Sequence, residues 1–144
     1  MESEGSVSGT TQSFRLSYGD CDTVGIAYFA IYYPWMERTY SSWLYDNGIR
    51  AGQLSDELGV YVVGVHSEAA YLRQVTVFDE LTCEVRRERV GNSSYTLGFT
   101  FHRGDELVTT GTMTFACRDL EHRKIPVPER IAKLLHTLEP MPQR

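Results

Sequence analysis

The sequence predicts an α+β domain in which a curved antiparallel sheet wraps around one long central helix. A long amphipathic segment typical of a helix lies in the first third of the chain, and segments with two-residue periodicity follow it. The sheet needs cover on one face, and the long segment is the only element large enough to provide it. The 144 residues suit a single domain.

The first elements are a short strand and the long helix. Residues 14–18 alternate apolar and polar side chains, which predicts a strand. Apolar residues at spacings of four predict a helix over about 30–46, with Pro34 in its first turn and Asn47-Gly48 as its stop. A shorter helix is expected around 52–58.

The rest of the chain is dominated by strands. Period-two alternation predicts them at residues 60–72, 81–86, 95–102 and 110–117. Gly91-Asn92 and Gly104-Asp105 predict hairpin turns between the last three. Pro128 can open a final helix over 129–138. This order of elements is that of the hotdog architecture.

We expect the hotdog domain to span residues 13–138, with loose tails at 1–12 and 139–144. The first tail is polar and lacks the apolar stretch of a signal peptide. No apolar run approaches the length of a membrane span.

Charge and cysteine content narrow the function classes. The net charge of −5 argues against broad nucleic-acid binding, because an acidic protein repels phosphate backbones. Cys21, Cys83 and Cys117 are odd in number and widely spaced, with no CxxC and no zinc spacing. They predict a reducing cytoplasm and no metal site.

Two carboxylates, Asp20 and Asp22, stand just before the long helix in the stretch Tyr18-Gly-Asp-Cys-Asp-Thr-Val-Gly-Ile-Ala-Tyr-Phe29. A helix begins with free N–H groups and a positive dipole end, which would polarise a carbonyl oxygen as an oxyanion hole does. A carboxylate nearby could attack that carbonyl or activate water. On spacing alone, a helix cap or a shaped turn is the better interpretation of either aspartate.

The same stretch, followed by Tyr32-Tyr33-Pro-Trp-Met-Glu37-Arg38, resembles the signature of the 4-hydroxybenzoyl-CoA thioesterase family. That family is similar to the Tol-Pal-associated acyl-CoA thioesterases. The resemblance continues through Glu68-Ala-Ala-Tyr71, Phe78-Asp79-Glu80-Leu81 and Arg89-Val-Gly-Asn-Ser-Ser94, and so covers most of residues 14–128.

The resemblance implies an acyl-thioester hydrolase in which Asp22 is the catalytic carboxylate, as nucleophile or general base. The backbone N–H at about Phe29 matches the donor to the thioester oxygen, and Asp20 matches a structural position. Family members form homodimers with the active site at the subunit interface, and two dimers often make a tetramer. Many acyl-CoA members carry His where this chain has Phe29, so Asp22 would work here without that partner.

Aromatic residues crowd the predicted helix start. Tyr28, Phe29 and Tyr32 could line an acyl pocket, which should be apolar with few polar anchors. Tyr33 and Trp35 are expected in the core, because apolar helix faces are mostly buried.

His66 and Glu68 lie on the predicted 60–72 strand. In the family this strand reaches the partner's active site, so either side chain could assist catalysis or bind a substrate hydroxyl. The alternative is an ordinary solvated face of the strand.

Two basic clusters, within 86–89 and 118–124, suit the phosphates of coenzyme A, because arginine binds phosphate bidentately. Ser93 and Ser94 match family positions near the pantetheine arm. The candidate contacts are Arg87, Arg89, Ser93, Ser94, Arg123 and Lys124. Solvated strand ends are an equally good interpretation of each basic residue. Coenzyme A or phosphopantetheine would enter as part of the substrate, so no separate cofactor is expected.

Two other functions remain open on the same fold. A hydratase or dehydratase of acyl thioesters usually needs an Asp/His pair, which the sequence does not place locally, although His66 of a partner could supply the histidine. A non-catalytic acyl-thioester binding protein would keep its ligand after loss of Asp22. The sequence names neither the acyl group nor the choice between coenzyme A and an acyl carrier protein.

Overall fold

The structure, a computed structural model, describes residues 9–142. Its strands are β1 (Thr11–Arg15), β2 (Tyr61–Tyr71), β3 (Glu80–Val90), β4 (Ser94–Arg103) and β5 (Glu106–Arg118). Its α-helices are α1 (Tyr32–Asp46), α2 (Leu54–Leu58) and α3 (Glu129–Leu135). Short 3₁₀ turns lie at Tyr18–Asp20, Phe29–Ile31 and Ala51–Gln53.

The strands form one antiparallel sheet in the order β1-β3-β4-β5-β2. Strand β2 is therefore an edge: it pairs with β5 from Tyr61↔Arg118 to Tyr71↔Thr109, and it has no strand on its other side within residues 9–142. A register shift between Gly64 and His66 interrupts this pairing.

Helix α1 covers one face of the sheet, and its buried stripe forms the centre of the core. The buried side chains of α1 are Tyr32, Met36, Thr39, Tyr40, Trp43 and Leu44. Tyr32 meets Phe101 edge-on at 5.1 Å, and Tyr40 stacks on Phe115 at 5.0 Å. Met36 Sδ lies against the Cα of Gly111, in the space that a Cβ there would occupy, so Met36 packs directly on the sheet backbone.

The predicted long helix is confirmed, with Pro34 in its first turn. The first strand differs, because it runs from Thr11 to Arg15 and residues 18–20 turn into a 3₁₀ helix. Its start lies inside the predicted loose tail 1–12, of which residues 1–8 lie outside the described residues.

At the C-terminus, the part of the chain that is bonded to the sheet extends past residue 138, the predicted end of the domain. The Arg87 N–H donates to Glu139 O, and the Met141 N–H donates to Arg87 O, both at 2.8 Å. The cause is the unequal length of β1 and β3: β1 pairs only with 80–84 of β3, which leaves backbone groups beyond it in need of partners. Residues 139–141 supply them, so this part of the predicted tail is attached to the sheet.

A turn before β3 is locked by one carboxylate. Asp79 Oδ2 accepts hydrogen bonds from the Thr76 N–H at 2.9 Å and from Arg103 Nη1 at 2.8 Å. Burial alone would raise the pKa of Asp79, but the Thr76 N–H and the Arg103 guanidinium hold it below its usual range. Within this turn Phe78 has φ of 71°, which a bulky residue rarely adopts, so the turn depends on such external bonds.

We expect Asp79→Asn to lower the free energy of unfolding by about 1–3 kcal/mol at pH 7, because it removes the charge from a half-buried hydrogen-bonded pair. The folded pKa is depressed, so this stabilisation is complete above the ordinary aspartate pKa of about 3.9 and disappears as pH falls through the lower folded value. Urea unfolding of both proteins from pH 7 to pH 3 measures the difference.

The matched control is Glu80→Gln, which breaks the ion pair to Arg15 where both side chains are mostly exposed. Exposed pairs contribute about 0–1 kcal/mol, so this variant should change little. Equal losses of stability in the two variants would contradict the role of Asp79 in locking the turn. A loss for Asp79→Asn that is independent of pH would contradict the role of its negative charge.

Candidate active site

Asp22 lies in a tight loop that fixes one of its carboxylate oxygens. Asp22 Oδ1 accepts hydrogen bonds from the Val24 N–H at 2.9 Å and the Ile26 N–H at 3.3 Å. The Asp22 N–H returns a bond to Ile26 O at 2.9 Å, and Gly25 takes φ of 81°, which glycine adopts without strain. The side chain is exposed, and Oδ2 takes no part in these bonds. The loop therefore holds a carboxylate at the surface in one orientation.

Asp20 has a different role from Asp22. Its Oδ2 accepts from the Ser17 N–H at 2.8 Å and from Ser17 Oγ at 3.2 Å, which closes a capping box around the first 3₁₀ turn. Its main-chain oxygen accepts the Tyr28 N–H at 2.9 Å. The capping interpretation thus fits Asp20. The bonds from the Val24 and Ile26 N–H groups likewise fit a shaped turn at Asp22, and the catalytic role of Asp22 stays a prediction.

The Asp22 loop is attached to the locked turn before β3. Ala27 N–H donates to Val75 O at 2.7 Å, and Val77 N–H donates to Gly25 O at 3.1 Å. Because Asp79 and Arg103 hold that turn, the position of the loop is set by main-chain bonds to a fixed neighbour.

The helical run after the loop begins at Phe29. A 3₁₀ turn over Phe29–Ile31 leads directly into α1, and the Ile31 N–H closes it by donating to Tyr28 O at 3.0 Å. The first N–H groups of such a run have no acceptor within it, and they lie at its positive dipole end. Tyr28 and Phe29 are half-exposed, with ring centroids 4.7 Å apart. Their placement suits the predicted acyl contact.

Tyr32 does not line the surface with them. Its side chain is only 3% exposed and packs between Phe101 and Tyr71. The first turn of α1 already faces the sheet, so the structure gives Tyr32 a core position, and its acyl contact stays a prediction. Tyr33 and Trp35 are partly buried against the core, as predicted, and Trp35 stacks on Phe14 at 3.8 Å.

His66 and Glu68 lie on the face of the sheet opposite α1. They pair in register with Thr114 and Thr112, which alternate with the residues that face the helix. His66 Nε2 lies 3.5 Å from Glu68 Oε2, and both side chains are more than half exposed. Within one chain they stand at the middle of β2, away from the Asp22 loop.

A cavity of about 400 Å³ lies along the middle of the β2 edge. Its lining is mostly apolar, and its residues are Glu37, Gly64, Val65, His66, Ser67, Met113, Thr114 and Phe115. The sequence pattern does not indicate Glu37 as a cavity residue, because its place on the wall depends on how α1 crosses the sheet. Its carboxylate accepts a hydrogen bond from Ser41 Oγ.

Most of the predicted coenzyme A contacts gather at one end of the sheet. Arg89 Nη2 donates to Ser94 Oγ at 3.0 Å, and Ser93 O accepts the Cys117 N–H at 2.9 Å. The loop that carries Arg123 and Lys124 follows β5 at the same end, and both side chains are exposed. Arg123 pairs with acidic neighbours, Asp119 and Glu121, as the alternative of a solvated strand end requires.

Arg87 is used differently. Its Nη1 donates to His136 O at 3.1 Å and to Leu138 O at 2.9 Å. The guanidinium is therefore directed at the main chain that follows α3, which the sequence pattern could not indicate. Arg87 therefore anchors the C-terminal segment, and its phosphate contact stays a prediction.

The Asp22 loop and the basic cluster lie at opposite ends of the sheet. Strand β4 runs from Ser94 in the cluster to Arg103 beside the locked turn. Ten strand residues span about 30 Å at roughly 3.3 Å each. One chain therefore does not bring the predicted catalytic and coenzyme A residues together.

The described part of the chain, 9–142, holds no group of three or more metal-ligating side chains. Within the same residues, no helix is long and apolar enough to cross a membrane. The absence of a metal stays a prediction.

The chain is similar to a known protein family over most of its length. The model of the thioesterase-like superfamily matches residues 16–135, most of the chain.

Similar proteins and a similar solved structure are named as enzymes that hydrolyse a CoA thioester. A 1,4-dihydroxy-2-naphthoyl-CoA hydrolase of Prochlorococcus marinus strain NATL2A is 24% identical over 127 residues, covering 83% of this chain and 82% of that protein. The hydrolase of the same name from Synechococcus elongatus is 25% identical over 118 residues, covering 81% and 87%. A 1,4-dihydroxy-2-naphthoyl-CoA thioesterase from Synechocystis superposes with a TM-score of 0.79 at 16% identity, over 88% of this chain and 95% of that one. This last likeness confirms the predicted hotdog fold.

Proposed function

The chain belongs to the thioesterase-like superfamily, and we propose that it hydrolyses an acyl thioester to a free acid and a thiol with Asp22 as the catalytic carboxylate. Membership confirms the predicted enzyme class, a thioester hydrolase. The observation that carries the assignment of the site is the Asp22 loop, in which two main-chain N–H groups orient an exposed carboxylate just ahead of a helix start.

The proposed chemistry uses the negative charge of Asp22 and the dipole at the helix start. The thioester oxygen accepts the Phe29 N–H, so the helix start stabilises the negative charge that develops on it. Asp22 either attacks the carbonyl carbon or takes a proton from a water molecule that attacks it. In the water route the carbon–sulfur bond then breaks, and the leaving thiolate takes the proton that Asp22 accepted from water. In the direct route Asp22 displaces the thiolate and forms an acyl-aspartate anhydride. One water molecule then hydrolyses this anhydride, which releases the acid and restores Asp22, and the proton it gives up neutralises the thiolate.

We propose that the active unit is a homodimer formed through the edge of β2. Antiparallel pairing with a second copy would place the Tyr71 end of one β2 beside the Tyr61 end of the other. The first end adjoins the Asp22 loop, and the second adjoins Arg118 and the basic cluster. This arrangement resolves the separation of about 30 Å within one chain, because each site takes its carboxylate from one subunit and its phosphate contacts from the other.

Exposed apolar side chains on β2 support the same interface. Tyr61, Val63 and Val65 are 39%, 39% and 55% exposed on a strand whose outer edge has no partner within residues 9–142. Unprotected edges with apolar side chains pair with other chains. The cavity beside Glu37 lies on this edge, where a second subunit would close it. A dimer of such dimers is the assembly that the family resemblance implies.

For the acyl group, we propose a hydroxylated aromatic acid. The relatives in Prochlorococcus and Synechococcus are named for 1,4-dihydroxy-2-naphthoyl-CoA. A mostly apolar cavity with the Glu37 carboxylate on its wall suits a flat ring with a hydroxyl donor. Coenzyme A is the proposed carrier, and an acyl carrier protein is the alternative to be tested beside it.

We expect wild-type protein to release free thiol from hydroxylated aromatic acyl-CoA thioesters, and Asp22→Asn to lose about a hundredfold or more in kcat. Asparagine keeps an oxygen for the Val24 and Ile26 N–H groups but lacks the charge and the basicity. The assay uses a panel of acyl-CoA, acyl-pantetheine and acyl-carrier-protein thioesters. Asp105→Asn, in the exposed turn after β4, is the control and should leave kcat unchanged.

The other outcomes distinguish the remaining functions. Unchanged release in Asp22→Asn would move the chemistry away from this loop. No release from any thioester, together with water addition to an unsaturated acyl-CoA, would establish a hydratase. Binding without either reaction would establish a binding protein.

We expect Val63→Lys to convert the dimer to a monomer and to abolish hydrolysis, because a lysine on an edge strand opposes pairing. Light scattering after size exclusion measures the mass, and the thiol assay measures activity. Tyr45→Lys is the control, since Tyr45 is 63% exposed but lies on α1, away from the edge of β2. A wild-type protein that is fully active as a monomer would contradict the shared site.

A further inference from the structure

We infer that Tyr71 is a positioning residue for the thioester-polarising N–H of Phe29. The phenol of Tyr71 donates a hydrogen bond from Oη to Phe29 O at 3.0 Å. This contact joins the last residue of β2 to the first residue of the helical run, 42 positions earlier in the chain. The inference deepens the proposed hydrolysis and rests on it.

The donor peptide lies between two anchors. On the near side, the Tyr28 N–H is bonded to Asp20 O at 2.9 Å. On the far side, Phe29 O is held by Tyr71. The peptide that carries the Phe29 N–H lies between them, and its own carbonyl, Tyr28 O, accepts the Ile31 N–H at 3.0 Å. With both flanking peptides held, the direction of the Phe29 N–H is restricted.

Tyr71 can serve as this anchor because β2 directs it toward α1. It pairs with Thr109, which lies on the same, helix-facing side of β5 as Gly111. Its ring lies 5.6 Å from the Tyr32 ring. Partial burial, followed by the neighbouring hydroxyl of Tyr33, raises the pKa of Tyr71. The phenol therefore stays protonated at neutral pH, as a donor to a carbonyl must be.

The 3₁₀ turn alone would not fix the direction of the Phe29 N–H. A turn of three residues at the start of a helix is short, and the ends of helices fray. An oxyanion donor is effective only when it is held in place before the reaction, so freedom of this turn would weaken stabilisation of the transition state more than binding of the substrate. Loss of the Tyr71 hydroxyl should thus act on kcat.

The test compares Tyr71→Phe with Tyr45→Phe in the thiol-release assay, using the full chain. Both variants remove one hydroxyl from an exposed tyrosine, but Tyr45 lies in the last turn of α1, away from the proposed site and from β2. We expect kcat to fall about tenfold in Tyr71→Phe with KM within twofold of wild type, as partial loss of one donor's effect predicts. Tyr45→Phe should keep both constants.

A second measurement reports on the donor itself. In the Asp22→Asn background, the bound thioester is trapped, and infrared difference spectra give its carbonyl stretching frequency. We expect binding to lower this frequency relative to free substrate, and addition of Tyr71→Phe to reverse part of the shift. A purely structural role would lower thermal stability without changing this frequency in the folded fraction.

The outcomes separate this inference from the proposed function. Thiol release by wild type with unchanged kcat and carbonyl frequency in Tyr71→Phe would overturn the positioning role and leave hydrolysis intact. No thiol release by wild type from any thioester would overturn the proposed function and this inference with it. A rise in KM alone would assign Tyr71 to substrate binding and would also overturn it.

Discussion

The packing of α1 against the inner face of the sheet is the contact on which the other features depend. It buries a stripe of aromatic and aliphatic side chains and brings Met36 against the backbone at Gly111. Because α1 runs along the sheet, its first turn lies at one end and its last turn at the other. The position of the helix start, and with it the Phe29 N–H, follows from this packing.

The carboxylate side of the site is built from main-chain hydrogen bonds. The Asp22 loop is attached to the turn before β3, and that turn is held by Asp79 and Arg103. The bonds between the loop and the turn join backbone groups. Three side chains complete the support: Asp22 within the loop, and Asp79 and Arg103 in and beside the turn. A rigid support of this type holds a reactive group in one geometry without a charged partner beside it.

The edge strand β2 takes part in both the proposed dimer and the proposed active site. Its outer edge is available for a second copy, its middle borders the cavity beside Glu37, and its last residue, Tyr71, is bonded to the helix start. A subunit that pairs through this strand therefore contacts each part of the proposed site. The opposite placement of the Asp22 loop and the basic cluster gives a physical reason for a site shared between two chains.

The sequence by itself determined the order of elements and the local motif. Periodicities of two and of about four residues reflect which side chains are buried, so they revealed the strands and α1 directly. The D-x-D motif before the helix identified the loop, because loop, cap and helix start are made by neighbouring residues.

Only the tertiary structure decided which distant residues contact one another. It assigned Asp20 to capping, Tyr32 to the core and Arg87 to the C-terminal segment, and it attached residues 139–141 to β3. It also brought Tyr71 to the helix start. Each of these depends on contacts between residues far apart in the chain, and periodicity records only whether a side chain is buried, not which distant group it meets.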